Sequence, residues 1–333
     1  MSQSQRPPLY VLEQAARRRR RTRRRRPRLL SLAALLAIAA VTVLAGFVLV
    51  RVMPLTRTGA GLISDARPRW GPQVTAEHGK PPPGIWAVHV SHRRISGVEA
   101  AAAIAVDARS GRVLWGHDIH RRRPIGSLTK LMTALIVDRS GLHGGFPVTA
   151  PMTGSPGDVI GLRPGQRVTV ARMLAAMLIA SANDAADALA VHTAGNVEAF
   201  VRLMNHQAMR LRLGDTRYSN ASGIYDQGNH SSAWDVADLA RRVLRRPRLA
   251  KLVRTQVYAT GPTTQYVNLN RLLWTYPGAI GVKTGSTSAA GNCVAAAARH
   301  GRRSVIAVLL DARGNPFSAA AHLLDWGFRH VGR

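Results

Sequence analysis

The sequence predicts an α+β domain whose antiparallel sheet is assembled from the two ends of one globular stretch. Short apolar runs of strand length open and close that stretch, at 100–106, 112–115, 279–283, 292–299 and 304–310. The residues between them repeat their apolar positions at helical spacing. Strands at both ends with helices between is an α+β order. One transmembrane helix is expected ahead of the domain.

The chain has 333 residues and a formal charge of +30, enough length for one sizeable domain with appendages. Its first 28 residues hold eleven arginines against the single acid Glu13. Leu29 to Val50 then runs 22 residues without charge or proline, about 33 Å as a helix and enough for a bilayer core. A secretory leader has a shorter apolar region, about 7–15 residues, ending in a small-residue cleavage site. This run ends in Phe47-Val48-Leu49-Val50-Arg51. A retained anchor over 29–51 is therefore expected, with 1–28 cytoplasmic and everything later outside. Directly abutting such a span, the arginine run reads as an orientation signal, not as a nucleic-acid arm. The remaining charge suits anionic surroundings, and an arginine-biased composition produces it equally well.

Residues 52–98 carry Pro54, Pro68, Pro72 and Pro81-Pro82-Pro83-Gly84 with no sustained apolar period, and read as a tether. Trp70 and Trp86 are open to docking on the domain or on the headgroup zone. The domain, 99–333, starts with a hairpin: Ala100 to Val106 and Arg112 to Trp115 flank the turn sequence Asp107-Ala108-Arg109-Ser110-Gly111. Leu128, Leu131, Leu135 and Ile136 predict a helix over 127–138. Helices are also expected over 170–189, interrupted at 181–183, and over 198–211 and 233–244, the last entered through Ser231-Ser232. Strands at 257–259 and 279–283, the hairpin 292–299/304–310 and a helix over 318–328 complete the pattern. The single Cys293 excludes an internal disulfide framework and reads as a small buried filler.

Only four of the 47 cationic residues are lysines, and two of them end or open a loaded triplet: Ser127-Leu128-Thr129-Lys130 and Lys283-Thr284-Gly285. Arginine does not lose its proton in a protein, whereas burial and neighbouring charge can tune a lysine into a base. Ser127 and Lys130 share a helix face at i and i+3, so Ser127 can be a nucleophile and neutral Lys130 its proton acceptor. The Ser127 N–H near a helix start is a candidate oxyanion donor. Ser181 of Ser181-Ala182-Asn183 offers a hydroxyl that relays a proton, and Asn183 an amide that holds a substrate carbonyl or N–H. Thr284 can bind a carboxylate and Lys283 supplies positive charge. Gly285 permits close approach of a substrate backbone. Each triplet alone has a plain reading as helix surface, loop break or strand end. In this order they form the S-x-x-K, S-x-N, K-T-G signature of penicillin-binding proteins and serine β-lactamases.

From about Ala100 to His330 the chain resembles the low-molecular-mass penicillin-binding proteins that act as serine D-alanyl-D-alanine carboxypeptidases. The likeness rests on Arg123 to Ala134, Ser181 to Ala185, Tyr218-Ser219-Asn220-Ala221-Ser222-Gly223, Tyr276 to Gly285 and Leu324-Asp325-Trp326-Gly327-Phe328. It implies the DD-peptidase/β-lactamase-like fold and an acyl-enzyme on Ser127, formed by attack on the penultimate D-Ala carbonyl. It further implies Lys130 as base, Ser181 as proton relay to the departing amine, and Asn183 as peptide anchor. Lys283 and Thr284 would hold the terminal carboxylate, with the Ser286 backbone N–H as second oxyanion donor and its hydroxyl near that carboxylate. Peptidoglycan stem peptides would be the substrate and β-lactams covalent inhibitors. No cofactor or metal is expected, since the histidines show no zinc-type spacing.

Gly126 stands where this family usually has alanine. Many members continue into a β-rich domain and a C-terminal amphipathic anchor, which the N-terminal span is expected to replace. A D,D-endopeptidase uses the same machinery. A β-lactamase would need a dedicated deacylating base, and no Glu-x-x-x-Asn in class A surroundings is seen. A β-lactam sensor normally adds a signalling domain, for which 1–28 is too short and too arginine-rich.

Overall fold

The computed structural model describes residues 84–87, 90–224, 228–261 and 264–332. The arginine-rich segment, the expected anchor and the tether up to residue 83 lie outside the described residues. Among the described residues no helix is long and apolar enough to cross a membrane.

Strands β1 (Ala100–Asp107) and β2 (Val113–His117) form the first hairpin. A 3₁₀ turn, Gly126–Thr129, leads into α1 (Lys130–Arg139). The ribbon of β3 (Gly145–Pro147) and β4 (Arg167–Thr169) brackets a long loop. Five helices follow: α2 (Val170–Ile179), α3 (Asn183–Ala194), α4 (Val197–Arg210), α5 (Ala233–Leu244) and α6 (Pro247–Arg254). A second ribbon, β5 (Val257–Ala259) with β6 (Gln265–Val267), precedes the short α7 (Leu272–Thr275). The chain then makes β7 (Ala279–Thr287), β8 (Gly291–His300), β9 (Arg303–Ala312) and α8 (Pro316–His330). The main sheet runs β2-β1-β9-β8-β7, antiparallel throughout, so the two ends of the domain do meet as β1 beside β9.

Both faces of this sheet are covered, which is why its strands read as unbroken apolar runs. Ile104, Val106, Ala295, Ile306 and Val308 point to the face packed by the helices of the middle of the chain. The alternate residues Ala105, Ala296, Val305, Ala307 and Leu309 point to the other face, under Leu323, Leu324 and Phe328 of α8. Alanines on that face let α8 lie close. A Cβ on Gly327 would meet Val305 at 2.6 Å, so glycine is required at that contact.

Helix α1 is central: every residue from Lys130 to Val137 is buried, a helix apolar nearly all round with one lysine inside it. Polar caps set the starts of α2, α4, α5 and α8. Thr169, Asn196, Ser232 and Asn315 each accept a backbone N–H from the first turn.

Three differences from the sequence reading bear on the site. The Lys283-Thr284-Gly285 triplet lies inside β7, because β8 pairs with that strand as far as Thr287 opposite Gly291. The helix expected over 170–189 is two helices, α2 and α3, joined by Ala180-Ser181-Ala182, with Ser181 at a φ of +61°. Residues 84–98, assigned to the tether, contact the β1–β2 hairpin: Trp86 N–H donates to the Gly111 carbonyl (2.9 Å), and the Trp115 indole donates to that of Arg93 (2.8 Å). Strand β5 falls where it was expected, at 257–259, whereas β3, β4, β6, α6 and α7 escaped the sequence reading because segments of 3–8 residues offer too little periodicity.

Candidate active site

Four pieces of chain converge at one end of β7: the 3₁₀ turn with Ser127, the α2–α3 break with Ser181, the loop 155–162, and the middle of β7. Glycines permit the central contact. A Cβ on Gly285 would lie 2.8 Å from the Ile125 carbonyl oxygen and 2.9 Å from the Ser127 nitrogen. Gly285 is therefore needed for strand-to-turn packing, in addition to its expected use in admitting substrate backbone, and it also lines the cavity described below. Gly126, at a φ of +51°, faces the same contact, and a Cβ there would reach the Ser286 nitrogen at 3.4 Å. The amide nitrogens of Ser127 and Ser286 thus belong to one small region.

Lys130 is fully buried, and its Nζ has three partners: Ser127 Oγ (2.8 Å), Asn183 Oδ1 (2.7 Å) and the Ser222 carbonyl oxygen (2.6 Å). The Asn183 amide is oriented by its other end, where Nδ2 donates to the Pro156 carbonyl (2.7 Å). Asn183 Oδ1 and the Ser222 carbonyl can only accept, so they take two Nζ hydrogens. The third Nζ direction faces Ser127. When Lys130 is neutral, that direction is a lone pair aimed at the serine hydroxyl. Burial, and after it the charge of Lys283, hold the Lys130 pKa well below its ordinary value; Asp187 and Asp158 oppose this.

Lys283 is 2% exposed and donates to the Thr284 carbonyl (3.0 Å). Burial pushes its pKa down to about 7, against the charge of Asp158. Two lysines within mutual reach in a desolvated pocket disfavour double protonation, so one neutral and one charged lysine is the arrangement the site favours at neutral pH.

A cavity of about 200 Å³ opens here, lined among others by Ser127, Ser181, Thr284, Gly285, Ser286 and Asp158. Six of the eight expected residues thus divide clearly: Ser127, Ser181, Thr284, Gly285 and Ser286 face the cavity, while Lys130 stands behind Ser127. Asn183 and Lys283 are also set back. The Asn183 amide holds Lys130 and the 155–162 loop, a positioning role that the sequence reading did not include.

The sequence reading missed Asp158, Asp184, Asp187 and the Ser222 carbonyl. Asp184 accepts the N–H groups of Ile160 (3.1 Å), Gly161 (2.8 Å) and Leu162 (3.1 Å), which fixes the loop carrying Asp158. Asp187, one turn beyond Asn183, accepts from the Ser155 hydroxyl at 2.5 Å, and burial raises its pKa. Spacing on α3 was a usable signal for Asp187. Nothing local marks Asp158, which reaches the cavity only through the loop's path.

Comparisons with known proteins place the chain in a family. The family pattern described as D-alanyl-D-alanine carboxypeptidase matches residues 88–314. D-alanyl-D-alanine carboxypeptidase DacF of Bacillus subtilis is 35% identical over 224 residues, 64% of this chain and 58% of that protein. The crystal structure of D-alanyl-D-alanine carboxypeptidase from Mycobacterium tuberculosis H37Rv superposes with a TM-score of 0.68 at 30% identity, covering 73% of this chain and 96% of that one. Penicillin binding protein 6B from Escherichia coli gives 0.66 at 30% identity, covering 72% and 82%. The chain spans about six-tenths of the length of the first curated relatives it matches.

Proposed function

Because the chain belongs to the D-alanyl-D-alanine carboxypeptidase family, we propose that it removes the terminal D-Ala from peptidoglycan stem peptides through an acyl-enzyme on Ser127. Ser127 Oγ attacks the carbonyl carbon of the penultimate D-Ala as its proton passes to the Lys130 lone pair. The developing oxyanion is taken by the Ser127 and Ser286 N–H groups. The C–N bond breaks, and Ser181 relays a proton to the departing D-Ala amine. Water then attacks the ester carbonyl, its proton passing through Lys130 Nζ to Ser127 Oγ as the C–O bond breaks, and the shortened peptide leaves with the serine hydroxyl restored. Thr284, the Ser286 hydroxyl and the charge of Lys283 hold the substrate's terminal carboxylate. A β-lactam enters the same first step and stays bound as the ester.

The observation that carries this reading is the Lys130 contact set, in which two obligate acceptors leave one Nζ direction for the serine 2.8 Å away. The reading extends to localisation: residues 29–51 anchor the chain in the cell membrane, 1–28 stay cytoplasmic, and the domain works outside. The test is D-alanine release from a diacyl peptide ending in D-Ala-D-Ala, beside Ser127→Ala. Release that disappears in the variant is expected. No release by a wild type that still forms a stable penicillin ester would contradict it. Release only from cross-linked peptide dimers would make the enzyme a D,D-endopeptidase.

A further inference from the structure

The opposite end of β7 and β8 carries a second, larger cavity, of about 400 Å³. Arg299 and Asn292 lie at the two ends of β8, seven residues and about 23 Å apart, so this cavity is remote from Ser127. It is lined by Arg109, Arg241, Arg245, Arg299 and Arg302, and no carboxylate is among its lining residues. The neighbouring acids are engaged. Asp107 accepts from the Arg109 N–H (3.0 Å) and the Ser110 hydroxyl (2.5 Å), and Asp238 pairs with Arg242 (2.9 Å). Arg241 is 2% exposed, and its guanidinium is fixed by the carbonyls of Ala108 and Arg109, both at 2.9 Å. The other four guanidinium-bearing residues are exposed around it. Asp107 and Asp238 offset part of the charge of Arg241, whereas the four exposed guanidinium groups have no ion pair among the described residues; like charges so gathered repel, and an anionic ligand relieves that repulsion.

Two further features identify the ligand's source. Trp86, 43% exposed, lies against the turn that follows Arg109, its indole N–H donating to the Ser110 carbonyl (3.2 Å). Tryptophan beside arginine is the composition of a membrane–water interface. Gly84, where the described chain begins, is packed at the same place: a Cβ on Gly111 would meet the Gly84 carbonyl oxygen at 3.0 Å and the Arg241 guanidinium carbon at 3.2 Å. The described chain therefore begins beside the arginine cavity.

We propose that this end of the domain faces the membrane and that Arg109, Arg245, Arg299 and Arg302, around the fixed Arg241, bind phosphate groups of anionic phospholipid headgroups, with Trp86 in the interfacial layer. The catalytic cavity then opens away from the bilayer, toward the polymer it acts on. This rests on the reading of 29–51 as an anchor.

The test adds full-length protein to preformed vesicles of phosphatidylcholine alone, or with phosphatidylglycerol, and follows hydrogen exchange of the turns at 108–111 and 300–303. Several-fold slower exchange on the phosphatidylglycerol vesicles is expected. That difference should vanish in the variant combining Arg109→Gln, Arg245→Gln, Arg299→Gln and Arg302→Gln, which keeps the N-terminal arginines and wild-type turnover of a soluble peptide. Equal exchange on both vesicles, or protection that survives in the variant, would overturn the proposal. So would protection by soluble poly(glycerol phosphate) but not by phosphatidylglycerol vesicles, which would assign the cavity to a wall polymer. Flotation with the neutral vesicles reports the anchor separately, so the two readings can fail independently.

Discussion

The two ends of β7 and β8 both concentrate positive charge, but they use different residues. At one end are two lysines, each almost without solvent contact, within range of Asp158. At the other are five arginines, four of them exposed. In the proposed mechanism lysine stands where a proton must move, since burial can bring its pKa toward the working range. Arginine stands where charge must stay fixed. In a chain with only four lysines, finding two of them in the catalytic pocket makes that division of labour hard to attribute to composition.

The most damaging way to blur the contrast is Lys130→Arg. It keeps the charge but removes the proton acceptor, so acylation by penicillin should slow by between about 10²- and 10⁴-fold, the range of a lost general base. Stopped-flow acylation of a folded variant measures this. Near-wild-type acylation would remove Lys130 from that role.

Lys283→Met tests the charged partner. Loss of one charge-assisted hydrogen bond to the substrate carboxylate, about 1.5–3 kcal/mol, should lower kcat/KM about 10- to 100-fold. In the wild type, Lys283 carries its charge below its pKa of about 7 and loses it above, so kcat/KM should fall as pH rises through that value. The variant should lack this alkaline limb. The stability linkage has the opposite sense. The folded pKa lies below the ordinary 10.5, so between about 7 and 10.5 the unfolded chain binds more protons and stability rises with pH. The Tm gap between Lys283→Met and wild type should therefore narrow from pH 7 toward pH 10. A gap independent of pH would mean that Lys283 is not desolvated.

Asp158→Asn is the mildest probe. Removing a charge that raises the pKa of both lysines should move the alkaline limb of kcat/KM to lower pH, by less than about one unit for an exposed carboxylate. A shift to higher pH would contradict the electrostatics described above.

Much of the site was legible in the sequence because its chemistry sits in three short triplets. Ser127 and Lys130 are joined by one turn, and Lys283 to Gly285 by one strand. The sheet was legible for a similar reason: its strands are long apolar runs. What escaped was anything set by the path of irregular chain. Asp158 and the Ser222 carbonyl reach Lys130 from loops with no periodicity of their own. The packing job of Gly285 was not legible because only the folded chain shows Ser127 N 2.9 Å from where its Cβ would be. The hold of Asn183 on Lys130 and Pro156 escaped for the same reason, since its bond to Pro156 depends on the loop that Asp184 organises.

The most direct test of the account is the titration of the lysines themselves. Selective ¹³Cε-lysine labelling of a chain with four lysines gives four signals, assignable by single Lys→Met replacements. The account predicts that Lys130 and Lys283 titrate below the ordinary 10.5, Lys283 near 7. Both signals titrating near 10.5 would leave Ser127 without a base and contradict the proposed mechanism.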